Sequence, residues 1–285
     1  MSRHPVAVVT GASRGAGRGI AVALGSHGCR VYVTGRTDKP GGAPLPGTIY
    51  ETAEAVSAAG GKGIAVRVDH SDDKQVETLF EEIRQTEGHI DILVNNACAL
   101  HDDLTKPENF WEKPIELVDI LGVGLRSNYI ATYYAAPLLL KGNHPLVMFT
   151  SSPGSVCYMH GPAYGAQKAG VDKFAADMAV DFKASGVAAL SIWMGILLTE
   201  RTKEALANDP DRYGPLAEMA ETPELTGHVI WALYNDPKLM ERSGHTVITA
   251  EEAMHYGIKD AGGKQPGSHR AALGDPRIPH PAIVR

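Results

Sequence analysis

Cysteine is scarce in this chain and poorly placed for crosslinking. Cys29, Cys98 and Cys157 are odd in number and far apart, with neither the even count of a disulfide framework nor the close pairs of a zinc site. That usage fits a reducing compartment, and the expected location is cytoplasmic. No basic run could track a phosphate backbone, and a formal net charge of −6 argues against a nucleic-acid partner. No apolar stretch approaches the length of a bilayer span. The opening "MSRHPVAVVTGAS" enters an apolar pattern almost at once, which leaves no room for a signal peptide. The twelve histidines include no H-E-x-x-H and no paired metal spacing. His101, Asp102 and Asp103 are adjacent but are therefore not read as a metal site. Internal repeats and low-complexity tracts are absent as well.

What remains is ordinary globular material: 285 residues, 44% hydrophobic and 21% charged, long enough to bury a sizeable core. Seven short apolar runs recur along it: "VAVVT" (6–10), "RVYVTG" (30–35), "GIAVRV" (63–68), "DILVN" (91–95), "LVMFTS" (146–151), "ALSIW" (189–193) and "HTVIT" (245–249). Each is nearly continuous in hydrophobicity, as parallel strands buried on both faces should be. Helical patterns lie between them. The clearest follows Tyr164, where Val171, Phe174, Ala175, Met178, Ala179 and Phe182 repeat at helical spacing and Gly186 can end the helix. Strand alternating with helix predicts an α/β chain: a single-domain, Rossmann-like, doubly wound parallel sheet of about seven strands with helices on both faces. The expected division is one domain over 1–259, with a substrate lid at about 200–225, and an extended arm over 260–285. "DKPGGAPLPG" (38–47) reads as a loop after the second strand.

"VVTGASRGAGRGI" sets Gly11, Gly15 and Gly17 after the first strand and at the mouth of a helix, with Ser13 and Arg14 between them. Glycines here let the chain turn tightly and bring backbone N–H groups close to a pyrophosphate at the helix N-terminus. The spacing is G-x-x-x-G-x-G, not the commoner G-x-G-x-x-G. An acid at the end of the second strand would favour NAD through the ribose 2′-hydroxyl. This chain has Gly35, Arg36 and Thr37 there instead. Arg36 and Arg14 together suit a 2′-phosphate, so NADP(H) is expected over NAD(H), with Asp38 near enough to keep NAD(H) possible.

"TSSPGSVCYMHGPAYGAQKAG" (150–170) places Tyr164 four residues before Lys168 and thirteen after Ser151. In order, "TGASRGAG", "NNA" (95–97), Ser151 and "YGAQK" resemble the short-chain dehydrogenase/reductase family, over about residues 5–250. The flanking "GLRSNY", "SSPGS" and "YGAQKAGVDKFAAD" resemble the branch that includes dehydrogenase/reductase SDR family member one. The resemblance implies reversible hydride transfer between a nicotinamide cofactor and a carbonyl or secondary alcohol. It makes Tyr164 the proton donor or acceptor, Lys168 its helper and holder of the nicotinamide ribose, and Ser151 the partner of the substrate oxygen. A free phenol, with a pKa of about 10, is a poor acid near neutrality, and a fixed ammonium one helical turn away favours the phenolate. Ser152 competes with Ser151, which is preferred because it fits both the thirteen-residue spacing and the S-x-x-G pattern ending at Gly154. By the same resemblance Asn95 and Ala97 pass under the adenosine, Asp69 meets the adenine amino group, and Gly195 and Thr199 bracket the carboxamide. The family commonly forms homodimers and homotetramers through the helix carrying "YGAQK", and the same is expected here.

Three departures from the family pattern stand out. "NNAC" puts Cys98 where the family has glycine, "MG" puts Met194 where it has proline, and Gly124 stands where its helix asparagine is expected. The last puts the usual proton relay through lysine in doubt, with Asn128, one turn on, as a substitute. Substrate contacts are expected from 98–103, 155–161 and the lid, carrying Leu100, Val156, Tyr158, Met159, Leu197, Leu206 and Met219. That lining suits a lipophilic ketone or aldehyde. Two alternatives stand beside this reading: a dinucleotide-binding sensor without turnover, and dehydration or epimerisation on the same fold.

Overall fold

The computed structural model describes residues 4–285, without the side chains of Arg212, Tyr213, Pro215 and Leu216 inside the expected lid. The strands are β1 (Val6–Val9), β2 (Arg30–Gly35), β3 (Lys62–Arg67), β4 (Ile92–Asn95), β5 (Leu146–Ser151), β6 (Ala188–Trp193) and β7 (Thr246–Ile248). The first helices are α1 (Gly15–Ser26), α2 (Ile49–Ala58), α3 (Asp73–Thr86), a one-turn α4 (Asp119–Leu121), α5 (Ser127–Leu139) and α6 (Pro162–Phe182). They are followed by α7 (Glu200–Asn208), α8 (Pro210–Met219), α9 (Pro223–Tyr234), α10 (Leu239–Arg242), α11 (Thr249–His255) and α12 (Arg270–Leu273). All seven apolar runs are strands, each within two residues of the predicted bounds.

The strands form one parallel sheet in the order β3-β2-β1-β4-β5-β6-β7. The order reverses between β1 and β4, which opens a crevice beyond their carboxyl ends, where doubly wound sheets hold ligands. Helices cover both faces over two apolar clusters. One joins Val9, Ile20, Leu24 and Val33 to Val229 and Ile230 of α9, and the other joins Val8, Leu93 and Phe149 to α3, α5 and α6. Burial of each such side chain stabilises the fold by about 1.5–3 kcal/mol. β3 departs from the expected two-sided burial: its residues are half-buried or exposed, because it is the edge strand with a neighbour on one side only. α6 starts at Pro162, which suits the first helical turn because its missing N–H would have no partner there. Tyr164 therefore lies in that turn. Beyond residue 260 the chain has two single helical turns and no strand.

Candidate active site

The glycine turn after β1 is held by its neighbour across the crevice. Thr10 Oγ1 accepts the N–H groups of Asn96 (2.9 Å) and Ala97 (3.0 Å), and Asn96 Nδ2 donates to the carbonyls of Thr10 and Gly11. The backbones approach so closely that a Cβ on Gly11 (φ +64°) would lie 2.7 Å from Ala97 Cα, and one on Gly17 would lie 2.4 Å from the Gly11 carbonyl oxygen. Side chains are excluded, and that leaves a bare backbone cradle. Its chemistry is visible directly: the Gly15 N–H, at the first turn of α1, donates to the Glu200 carboxylate at 2.9 Å. An anion thus already sits on the helix N-terminus, and the turn fits a pyrophosphate.

Around the end of β2 the expected charges are present but partly engaged. Arg14 donates to the carbonyls of Pro46 (3.0 Å) and Gly47 (2.8 Å) and to Thr37 Oγ1 (3.0 Å), so the 38–47 loop folds over it. The exposed Arg36 lies 3.9 Å from Asp69, and Asp38 lies 3.4 Å from Arg67. Ser13 is buried against this corner, with its carbonyl packed on Gly47. Ala97 lies against Gly11. Asn95 is fully buried, and its Nδ2 donates to Thr132 Oγ1 of α5 at 2.9 Å. It braces the central strand, while its neighbour Asn96, which sequence reasoning passed over, faces the crevice.

Tyr164 and Lys168 meet where the motif puts them, one turn apart, with Lys168 Nζ 5.3 Å from the phenol ring centroid. Lys168 is buried and donates to the Thr150 carbonyl at 3.4 Å. The phenol ring lies flat on Gly154, where a Cβ would come within 2.6 Å of Cε1. Its hydroxyl meets Ser152 Oγ at 2.9 Å. The expected Ser151 turns the other way, as consecutive strand residues must. It is 1% exposed, lies 3.4 Å from the Lys168 carbonyl, and joins Asp172 beneath the helix, where Trp193 Nε1 also donates (3.0 Å). Burial pushes the Asp172 carboxyl up, against hydrogen bonds from Ser155, Ser151, Trp193 and Ser191. Sequence spacing favours Ser151, whereas the hydroxyl in contact with the phenol is that of Ser152.

The three departures have structural reasons. Gly124 interrupts the helix between α4 and α5 at φ +138°, a conformation closed to asparagine, and its carbonyl accepts both Asn128 Nδ2 (2.7 Å) and Gln167 Nε2 (2.6 Å). The Asn128 amide N–H is thus spent on that carbonyl. Cys98 packs on the same glycine, its Sγ 3.1 Å from where a Cβ would be, and burial pushes its thiol up. Met194 supplies an N–H to the Ser151 carbonyl at 3.4 Å, a bond proline could not make, which adds one further rung between β5 and β6.

The segment expected to be the lid follows β6 and meets the crevice through its first residues. Thr199 caps α7, accepting the Thr202 N–H at 3.3 Å, and lies 3.7 Å from a Cβ position on Gly15. Glu200 reaches the phosphate turn, and Arg201 pairs with Asp102 at 2.7 Å. Asp103 pairs with Lys106, and His101 caps the turn between them. Gly195 donates its N–H to the buried Glu221 carboxylate at 3.2 Å. Of the expected lining residues, Leu197 is buried, Val156, Met159 and Leu206 are half-buried, and Leu100, Tyr158 and Met219 are exposed. Glu200, Glu221, Asn96 and Gln167 escaped sequence reasoning; only Glu200, adjacent to Thr199, had a local cue.

Comparison with known proteins agrees with this geometry. A family model described as short chain dehydrogenase matches residues 5–210. Dehydrogenase/reductase SDR family member 1 of Homo sapiens is 38% identical over 270 residues, covering 91% of this chain and 84% of that one. Hydroxysteroid dehydrogenase-like protein 2 of Homo sapiens is 33% identical over 257 residues, covering 88% of this chain but 58% of that one. A crystal structure of a short chain dehydrogenase from Mycobacterium thermoresistibile superposes with a TM-score of 0.78 at 23% identity, covering 93% of this chain and 94% of that one. Among the described residues no helix is long and apolar enough to cross a membrane.

Proposed function

The chain belongs to the short-chain dehydrogenase/reductase family, in the branch of dehydrogenase/reductase SDR family member 1, and we propose that it is an NADP(H)-preferring oxidoreductase acting on a lipophilic ketone, aldehyde or secondary alcohol. The reading is carried by one observation: the Tyr164 hydroxyl, 2.9 Å from Ser152 Oγ, with the buried Lys168 ammonium 5.3 Å from its ring. When bound, the cofactor supplies or accepts a hydride. In reduction the Tyr164 O–H gives its proton to the substrate oxygen. Ser152 accepts the Gly154 N–H at 3.3 Å, so its own O–H is left to donate to that oxygen as charge develops. Lys168 holds the nicotinamide ribose. Gly11, Ser13, Gly15, Gly17 and Ala97 form the pyrophosphate and adenosine cradle. Asp69 takes the adenine amino group, and Gly195 and Thr199 frame the carboxamide.

Preference for NADP(H) is supported by Arg36 and Arg14 at the end of β2 and by the pairing of Asp38 with Arg67. Tyr129 and Tyr133, exposed on α5, suit burial in a homodimer or homotetramer. The test is consumption of NADPH and NADH against a panel of ketones, aldehydes and quinones. Turnover with NADPH, lost in Tyr164→Phe while cofactor affinity stays within about twofold, is the expected result. Tight NADPH binding without turnover on any compound would replace this reading with a cofactor sensor, and tighter NADH binding would reverse the cofactor preference.

A further inference from the structure

Glu221 ends the lid, two residues after α8, and its backbone and side chain both hold the loop that leads from β6 into the lid. Its N–H donates to the Ile196 carbonyl at 2.7 Å, and its carbonyl accepts the Leu198 N–H at 2.9 Å. Between those two rungs the side chain folds back under Gly195, with Oε2 3.2 Å from the Gly195 nitrogen. A Cβ on Gly195 would lie 2.6 Å from Glu221 Oε1, so the glycine is there to admit the carboxyl. The residue is 2% exposed.

A second layer holds this residue in turn. Asp260 accepts the Thr222 N–H at 2.8 Å and also the Thr222 hydroxyl, and Lys264 Nζ donates to the carbonyls of Ala220 (2.8 Å) and Glu218 (2.5 Å). The start of the C-terminal arm is thus a clasp on either side of Glu221. Asp260 and Lys264 are the charged groups that face the carboxyl. The 194–199 loop brings it a backbone N–H and no charge, and from α9 His228 faces Asp260. Burial, with Asp260 adding to it, pushes Glu221 up to about 7, against the Gly195 N–H and Lys264.

We infer that Glu221 is a positioning residue that acts through Gly195 to set the relative affinity of the site for the oxidised and reduced nicotinamide, and that the Asp260–Lys264 clasp holds it in place. The inference rests on the proposed cofactor reading. The oxidised ring carries a positive charge and the reduced ring none, so a carboxylate under the loop that frames the ring favours the oxidised form, whereas a protonated carboxyl favours neither.

The experiment is a fluorescence or calorimetric titration of the whole chain with NADP+, NADPH and 2′,5′-ADP from pH 6 to 8.5, for wild type, Glu221→Gln and Lys264→Met. In wild type the ratio of the NADPH to the NADP+ dissociation constant should rise about five- to tenfold across this range, part of the roughly 17-fold that full ionisation of a unit charge about ten ångströms away gives at an effective dielectric of about 20. In Glu221→Gln, which keeps the shape and can still accept the Gly195 N–H, the ratio should be flat with pH. Lys264→Met, which leaves Glu221 intact but removes the cation facing it, should move the transition to higher pH. Binding of 2′,5′-ADP, which lacks the nicotinamide half, should be the same in all three. A ratio that changes with pH in Glu221→Gln as it does in wild type overturns the inference. Failure of wild type to bind any of the three ligands would instead overturn the cofactor reading itself.

Discussion

The two ends of the crevice are built by opposite means. At the phosphate end, residues 10–17 are consecutive, and the site consists of backbone atoms pressed together: Gly11 on Ala97 and Gly17 on the Gly11 carbonyl. At the nicotinamide end the support comes from far along the chain, with Gly195 held by Glu221 and the segment around Glu221 held by Asp260 and Lys264. Backbone N–H groups carry no titratable charge, so the first end should be indifferent to pH and intolerant of any side chain. A buried carboxyl makes the second end sensitive to pH but tolerant of conservative change. One end is fixed by sterics, the other by electrostatics.

The hardest test of that contrast is a methyl group. Gly17→Ala places a Cβ 2.4 Å from the Gly11 carbonyl oxygen and 2.9 Å from Ala12 Cα, both backbone atoms that cannot step aside. Dinucleotide affinity should fall about 100-fold or more, equivalent to roughly 2.7 kcal/mol, and thermal melts should show a loss of about 2–4 kcal/mol. Retained affinity would mean that the phosphate end is as adaptable as the other.

Between the two ends, the adjacent serines separate catalysis from support. Ser152→Ala removes the hydroxyl beside Tyr164 and should lower kcat about 100-fold with little change in melting. Ser151→Ala removes a donor from the buried group around Asp172 and Lys168 and should cost about 1 kcal/mol of stability, leaving kcat within about threefold. Steady-state kinetics and denaturant melts on both variants check this, and the reverse pattern would restore Ser151.

Stability against pH sharpens the electrostatic side. The folded state holds the Glu221 proton up to about 7, well above the ordinary value of 4.5. The unfolded chain therefore releases that proton first as pH rises, and stability is lost through the interval from about 4.5 to 7. Glu221→Gln should remove this part of the slope and melt above wild type at pH 8. Differential scanning calorimetry of the two proteins at pH 5 and pH 8 measures it, and parallel curves would show that the carboxyl is not strained by burial.

The same contrast governs what could be read in the sequence. Strands such as "VAVVT" and "LVMFTS", and the turn at Gly11–Gly17, are local patterns whose consequences stay local, and the parallel doubly wound class follows from their alternation with helices. Tyr164 and Lys168 share a helix face by their spacing alone. Spacing counts residues but does not show which face of the strand a side chain leaves, so it could not tell that at the end of β5 Ser152 meets the Tyr164 hydroxyl while Ser151 lies against the Lys168 carbonyl. The partner of Asn95 was not legible either, since α5 offers Thr132 only once the chain is folded. Glu221, Asp260 and Lys264 had no pattern to betray them. They meet only in three dimensions, and nothing within any one segment marks them as a set.

The smallest expected effect bears on the phosphate end and has two signs. Glu200 places a carboxylate 2.9 Å from the Gly15 nitrogen, at the position where α1 offers its positive end to a pyrophosphate. In the absence of cofactor this contact should stabilise the closed lid by about 0.3–1 kcal/mol. A dinucleotide must displace it, so the same energy opposes binding. Glu200→Gln keeps the length of the side chain but removes the charge. The variant should bind NADPH about two- to fivefold more tightly, by the conversion of that energy, and should melt slightly earlier without ligand. With saturating cofactor the two proteins should melt together, because the contact is then absent from both. A melting difference that persists in the saturated state would mean that Glu200 supports the lid by other contacts and does not compete for the turn.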